Sequence, residues 1–246
     1  MASIPLMYAQ EDCELGGKES VEDDFAYRNN VMNAEREIRL AFIRKVYGLL
    51  TVQLLATVSI AAVFMFVEPV QTFIHTNNWM MIIAFILSMG TLIALIVKRR
   101  DSPANLYLLA AFTVIQAYTI GVVVSYYNTM VVLQALALTF AVVFSLTLYT
   151  LNSKRDFSFI GYMLVAGLTV LILGGLLQLV VQSAAFEMAL SIVGAIFFSM
   201  FLVYDTHQMM RVLSPEEYIL ATINLYLDIL NLFLYILRIL NELNRN

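Results

Sequence analysis

After a polar leader, apolar residues run in seven blocks, at roughly 46 to 67, 78 to 97, 105 to 125, 131 to 151, 158 to 180, 187 to 209 and 218 to 240. Each block is close to the ~20 residues that a helix needs to cross ~30 Å of hydrocarbon. The four prolines, Pro5, Pro69, Pro103 and Pro215, all fall outside them. The pattern therefore predicts unbroken membrane helices rather than interrupted ones. Upstream, Ile38, Phe42 and Leu49 recur at helical spacing among Arg36, Arg39, Arg44 and Lys45, which predicts an amphipathic interfacial helix over 34 to 45 that runs into the first span. Residues 1 to 33 mix Gly, Ser, Asn and acids without periodicity and read as a disordered acidic tail. The expected organisation is thus a tail at 1–33, an interfacial helix at 34–45 and a transmembrane bundle at 46–246. The fold class is all-α, a polytopic membrane helical bundle.

Composition sharpens this picture. With 61% apolar and only 13% charged residues, the chain lies far outside the range of soluble domains, and no stretch is left over for a separate soluble catalytic domain. The net charge of -4 is mostly local, because nine of the 18 acids lie within residues 11 to 37. The single cysteine, Cys13, excludes an intramolecular disulfide and a cysteine metal cluster. The acidic leader has no early apolar run, so it resembles neither a secretory signal nor a mitochondrial presequence.

Basic residues alternate between connections. Lys18, Arg28, Arg36, Arg39, Arg44 and Lys45 precede the first block, Lys98, Arg99 and Arg100 follow the second, Lys154 and Arg155 the fourth, and Arg211 the sixth. The other inter-block connections have none, which predicts a cytosolic N-terminus and argues against a G-protein-coupled receptor. The seventh block breaks the rule. Full crossing puts Arg238 and Arg245 on the non-cytosolic side, whereas a re-entrant path keeps the C-terminus cytosolic; both remain open at this level.

The candidate chemistry lies in the last two blocks, which hold Asp205 and Asp228. A charged side chain at mid-bilayer costs ~2.5 to 3.5 kcal/mol on insertion scales, so such an acid is a functional candidate by default. In the seventh block Asn224, Asp228, Asn231, Tyr235 and Arg238 follow one helical stripe. Hydrogen-bonded glue between helices accounts for the asparagines but not for an aspartate. Glu187 and Asp205 share a face of the sixth helix, ~27 Å apart, so Glu187, Asp205 and Asp228, with Asn224 and Asn231, are candidates for one cation route. Oxygen donors of this kind suit Ca²⁺. Between the helices, Ser214, Pro215, Glu216 and Glu217 read as an S-x-x-E capping box, with Glu216 a further candidate at a cytosolic mouth. From that turn the two aspartates are offset by ~9 Å in depth, so contact between them requires tilt or a longer turn. If they meet, they cannot both ionise cheaply and share a proton. Such a pair closes when bridged by the proton and loosens when both groups ionise.

Other polar residues receive plainer readings. Gln116 and Gln134 are expected to make packing contacts, and Gly167, Gly174 and Gly175 to allow close helix approach. His207 faces away from Asp205 and His75 lies in a loop, so they form no metal-ligand constellation. Trp79, Tyr126 and Tyr127, at block ends, read as interfacial anchors.

The runs AFIRKVYGLL, LYTLNSKRDFSF, VYDTHQMM, LSPEEYILA and LYLDILNLFL resemble the transmembrane Bax inhibitor motif family, most closely its Golgi anti-apoptotic (lifeguard 4) branch, from about Asp24 to the C-terminus. The resemblance implies a pH-sensitive Ca²⁺ leak channel of Golgi or ER membranes that lowers store Ca²⁺ and inhibits apoptosis. It also implies a di-aspartyl pH sensor at Asp205 and Asp228, which would bind Ca²⁺ only transiently. Many members carry a glutamate in the third helix where this chain has Gln116, so a third-helix carboxylate is missing from any route here. No cofactor is expected, with Ca²⁺ as permeant ion. The expected partners are the bilayer, Ca²⁺ and apoptotic regulators or intracellular Ca²⁺ channels, with no nucleic acid. Two alternatives come from other classes. One is a non-conducting regulator acting through its tail and loops. The other is an intramembrane aspartyl protease, disfavoured because the second aspartate lies in LYLD rather than GxGD and no PAL tripeptide follows.

Overall fold

A computed structural model describes Val31 and residues 36 to 153, 155 to 157 and 159 to 245. The acidic tail, apart from Val31, and the first residues of the expected interfacial helix lie outside the described residues. Among the described residues eight α-helices follow in order: α1 (Arg36–Phe66), α2 (Glu68–Thr76), α3 (Met80–Val97), α4 (Ala104–Val124), α5 (Thr129–Asn152), α6 (Ile160–Val181), α7 (Ala184–Arg211) and α8 (Tyr218–Arg245). Seven of them are long and apolar enough to cross a membrane, and α2 is the exception. The interfacial helix is no separate element, because its residues from Arg36 onward are the first turns of α1. Phe42 and Val46 enter the core there, while Ile38 stays exposed.

The short helix α2 fills the first connection. Pro69 sits in its first turn, where the missing N–H costs nothing, and Ile74 anchors it by burial to 2% exposure. His75, expected in a loop, lies in α2, stacks on Tyr126 with centroids 4.2 Å apart and meets Ser125 Oγ at 2.9 Å.

The last helix is the axis of the bundle. α8 packs against α7, α6's neighbour α5, α1 and α4, and is the most buried of the seven candidate spans. Ile219, Leu225, Tyr226, Leu232 and Leu237 on it are each at most 1% exposed. The other spans keep broad apolar faces outward, as lipid-facing helices do, whereas α8 buries apolar and polar faces alike. It runs 28 residues without a break. It is long and apolar enough to cross a membrane, and within it there is no reversal of the kind a re-entrant path needs.

α7 and α8 form an antiparallel hairpin. Small residues set how closely they approach, since a Cβ on Gly194 would lie 2.5 Å from the Tyr235 ring. Between α6 and α7 the expectation for Gly167 and Gly174 is met: added Cβ atoms would lie 1.8 Å from Phe197 and 2.7 Å from Leu190. Gly175 differs, with nothing within 4 Å.

One end of the bundle gathers the basic connections. Arg99 and Arg100 of the α3–α4 connection both grip Glu217 Oε1, at 3.0 and 2.9 Å. Arg211 donates to Ser153 O at 3.2 Å, and Lys45 sits 3.4 Å over the Tyr218 ring. The Val31 N–H donates to Leu213 O at 3.0 Å, so the chain before α1 also closes on the α7–α8 turn. The opposite end holds Glu187, Arg238 and Glu242.

Candidate functional site

The α7–α8 turn corrects the sequence reading. Pro215–Glu217 form a 3-10 turn, and α8 proper begins at Tyr218. The Ser214 side chain accepts from Glu216 N, not from the glutamate three residues on. Glu217 does not reach back either, because its carboxylate is held by Arg99 and Arg100. Two guanidiniums offer charge-assisted bonds that outweigh a neutral cap, so no capping box forms. Glu216 is exposed.

This late helix start sets the register of the hairpin. Asp228 lies ~15 Å along α8 from Tyr218 and Asp205 ~9 Å from the end of α7, and the intervening turn takes up most of what remains. The carboxyl group of Asp205 thereby faces Asp228, and also Asn224, one turn earlier on α8. Asp228 is 5% exposed and its Oδ2 has no partner; Asp205 is half-buried. A carboxylate only accepts hydrogen bonds, so a bond between two carboxyl groups needs one proton on the pair.

The members of the predicted stripe on α8 differ in role. Asn231 donates to Leu227 O at 2.8 Å within its own helix. Tyr235 stacks on Phe198 with centroids 5.7 Å apart, and Arg238 lies 5.6 Å from the Tyr235 ring. Glu187 is not beside the aspartates. It shares the far end with Tyr127, Arg238 and Glu242, where Arg238 bonds the Tyr127 hydroxyl and burial pushes that hydroxyl's pKa up against the pull of the arginine. Tyr127 therefore points inward and is no interfacial anchor, whereas Trp79 and Tyr126 are well exposed.

Gln116 makes the expected interhelical contact, donating to Ser88 Oγ at 2.8 Å. Gln134 is instead exposed, so its packing role is not met. His207 is buried and lies 3.5 Å from Asp156 Oδ1, across from the aspartate pair. Among the described residues no group of three or more His, Cys, Asp or Glu is placed to hold a metal ion. The oxygen donors at the pair are Asp205, Asp228 and Asn224, a set too small to enclose a hard cation that takes six to eight ligands.

A second polar face of α8 escaped the sequence reading. Tyr218, Thr222 and Tyr226 line up at four-residue intervals toward α1 and α4. Asn105 Nδ2 donates to the Tyr218 hydroxyl at 3.1 Å, and the fully buried Tyr226 hydroxyl meets Thr57 Oγ1 at 2.7 Å. Beside them Gln53 Nε2 donates to Thr113 Oγ1 at 2.7 Å. The spacing of Tyr218, Thr222 and Tyr226 carries the signal for this face.

Comparison with known sequences is consistent along nearly the whole chain. A family profile described as "Inhibitor of apoptosis-promoting Bax1" matches residues 39–246. The Golgi anti-apoptotic protein of Vaccinia virus (strain Lister) is 46% identical over 231 residues, 94% of this chain and 98% of the viral one. Protein lifeguard 4 of Mus musculus is 44% identical over 228 residues, 93% and 96% of the two chains. Bax inhibitor 1 of Schizosaccharomyces pombe is 34% identical over 248 residues, 100% and 92% of the two chains.

Proposed function

The chain belongs to the family of Bax inhibitors, and from that premise we propose that it is a Ca²⁺ leak channel of intracellular membranes, gated by the Asp205–Asp228 pair, that restrains apoptosis. The observation that carries this reading is the contact between two carboxyl groups across α7 and α8, the most buried hairpin of the bundle. With a proton between them, the pair ties the hairpin together. Without it, two like charges face each other in a low-dielectric interior and push α7 and α8 apart. Because α8 is the bundle axis, its displacement opens a path that the closed bundle fills. Glu216 at the basic end and Glu187 at the other would attract cations to the two mouths, and Asn224 would offer a carbonyl oxygen between them.

The basic end is the cytosolic end in this account, following the distribution of Lys and Arg. Lowered store Ca²⁺ would then link the leak to the anti-apoptotic names carried by the relatives, and the Golgi is the expected membrane from the viral relative's name. The reading needs no enzymatic step. Its test is Ca²⁺ flux from liposomes containing the purified protein. Flux above that of protein-free liposomes is expected, and equal flux at every pH removes the channel reading.

A further inference from the structure

The lipid-facing surface of the bundle has an apolar opening. Between α5 and α7 a cavity of about 530 Å³ reaches through to the central helix, with Leu232 and Ile236 of α8 as its floor. Its walls are apolar along their length and include the exposed Ile196. Leu232 lies one turn beyond Asp228 on α8, so whatever fills the cavity touches the axis of the bundle close to the carboxylate pair.

Toward the basic end this cavity meets a second of different character. Tyr149 lines both, and past it the surroundings become polar, with Asn152, Ser153 and Arg155. The Arg155 side chain is exposed there. Its backbone N–H is held by Ser153 Oγ at 3.2 Å, and Arg211 fixes the Ser153 carbonyl from the other side. Asp156, the acid of this connection, is directed at His207 at 3.5 Å. An apolar slot in the hydrocarbon region thus ends, at membrane-surface level, in a polar rim that carries the Arg155 guanidinium, and an amphipathic tyrosine marks the boundary.

The geometry points to a binding site for one anionic glycerophospholipid, with an acyl chain in the α5–α7 opening and its phosphate at Arg155. The size supports a single lipid chain, since about 530 Å³ is the scale of small-ligand cavities, ~300 to 1,000 Å³, and too little for a helix of a second copy. The charge supports a phosphate, for which a guanidinium is the matched partner. The surrounding bilayer supplies the occupant without any further partner. A lipid seated there wedges α5 from α7 and contacts Leu232, so its presence would bias the position of α8.

The test uses the full-length protein in nanodiscs of phosphatidylcholine with a minor share of phosphatidylserine, followed by native mass spectrometry of the lipid that stays bound. The wild type is expected to retain one phosphatidylserine in preference to phosphatidylcholine. Arg155→Glu should retain about fivefold less phosphatidylserine, the order expected for one basic residue at an anionic surface, while still holding phosphatidylcholine. Ala195→Trp, which fills the slot, should lose both, and Ser199→Phe decides the point if the tryptophan variant is not monodisperse. Equal retention of the two lipids by the wild type, unchanged retention in the variants, or a sterol or fatty acid in the lipid's place overturns the proposal.

Discussion

Asp205→Asn and Asp228→Asn are each expected to flatten the pH dependence of Ca²⁺ flux. In the wild type, the proposed gate predicts that flux rises with pH as the shared proton leaves. The sign follows from charge counting. In the proposed gate a proton on the pair at low pH lets the two side chains hydrogen-bond; after its loss both would be negative and repel. Two unit charges 4 Å apart repel by about 4 kcal/mol at an effective dielectric of about 20, enough to move a two-state equilibrium by about three orders of magnitude. An amide at either position still donates to the remaining carboxylate but leaves only one titratable group, so the repulsion never develops. Glu187→Gln serves as control: Glu187 shares α7 with Asp205 but sits at the far end beside Tyr127 and Arg238, so the slope with pH should survive. The comparison is made by Ca²⁺ efflux at a series of pH values in one liposome preparation per variant.

Gly194→Val is expected to destabilise the protein by about 1 to 3 kcal/mol, the usual cost of overpacking a close contact. The Tyr235 ring lies 2.5 Å from where the first added carbon would go. It has little freedom to retreat, because Phe198 stacks on it from the α7 side and Arg238 lies against it. The α7–α8 separation must therefore grow, in the hairpin that brings the two aspartates together. Gly175→Ala provides the contrast, because nothing lies within 4 Å of its Cβ position. Thermal unfolding in detergent should show a lower midpoint for Gly194→Val and none for Gly175→Ala; equal midpoints would mean that Gly194 is not at a close contact.

Much of this architecture was legible in the sequence, and the exceptions have physical reasons. Seven spans follow from hydropathy because lipid-facing helices must be apolar over their full length. The helix α2 was invisible to the same reasoning, since EPVQTFIHT is too short and too polar to stand out and is fixed by burial of Ile74 and by the contacts of His75 with Tyr126 and Ser125. Glu217 fits a capping pattern locally, yet its partners Arg99 and Arg100 come from a connection more than a hundred residues away, and no local rule sees them. The same applies to the aspartates. Their residue types and their stripe were readable, but their contact depends on where α8 begins, and the 3-10 turn at Pro215–Glu217 decides that. The inward turn of Tyr127 likewise depends on Arg238, which the unbroken α8 carries to the same end of the bundle.

The direct test of the account is whether Asp205 and Asp228 hold one proton between them. Infrared difference spectroscopy of the reconstituted protein, titrated through neutral pH, reports the C=O stretch of a protonated carboxyl group. The account predicts one such band in the wild type, lost as pH rises together with the onset of Ca²⁺ flux, and absent or displaced in both Asp205→Asn and Asp228→Asn. A spectrum with no protonated carboxyl band at any pH, or a band that persists unchanged in both variants, would contradict it.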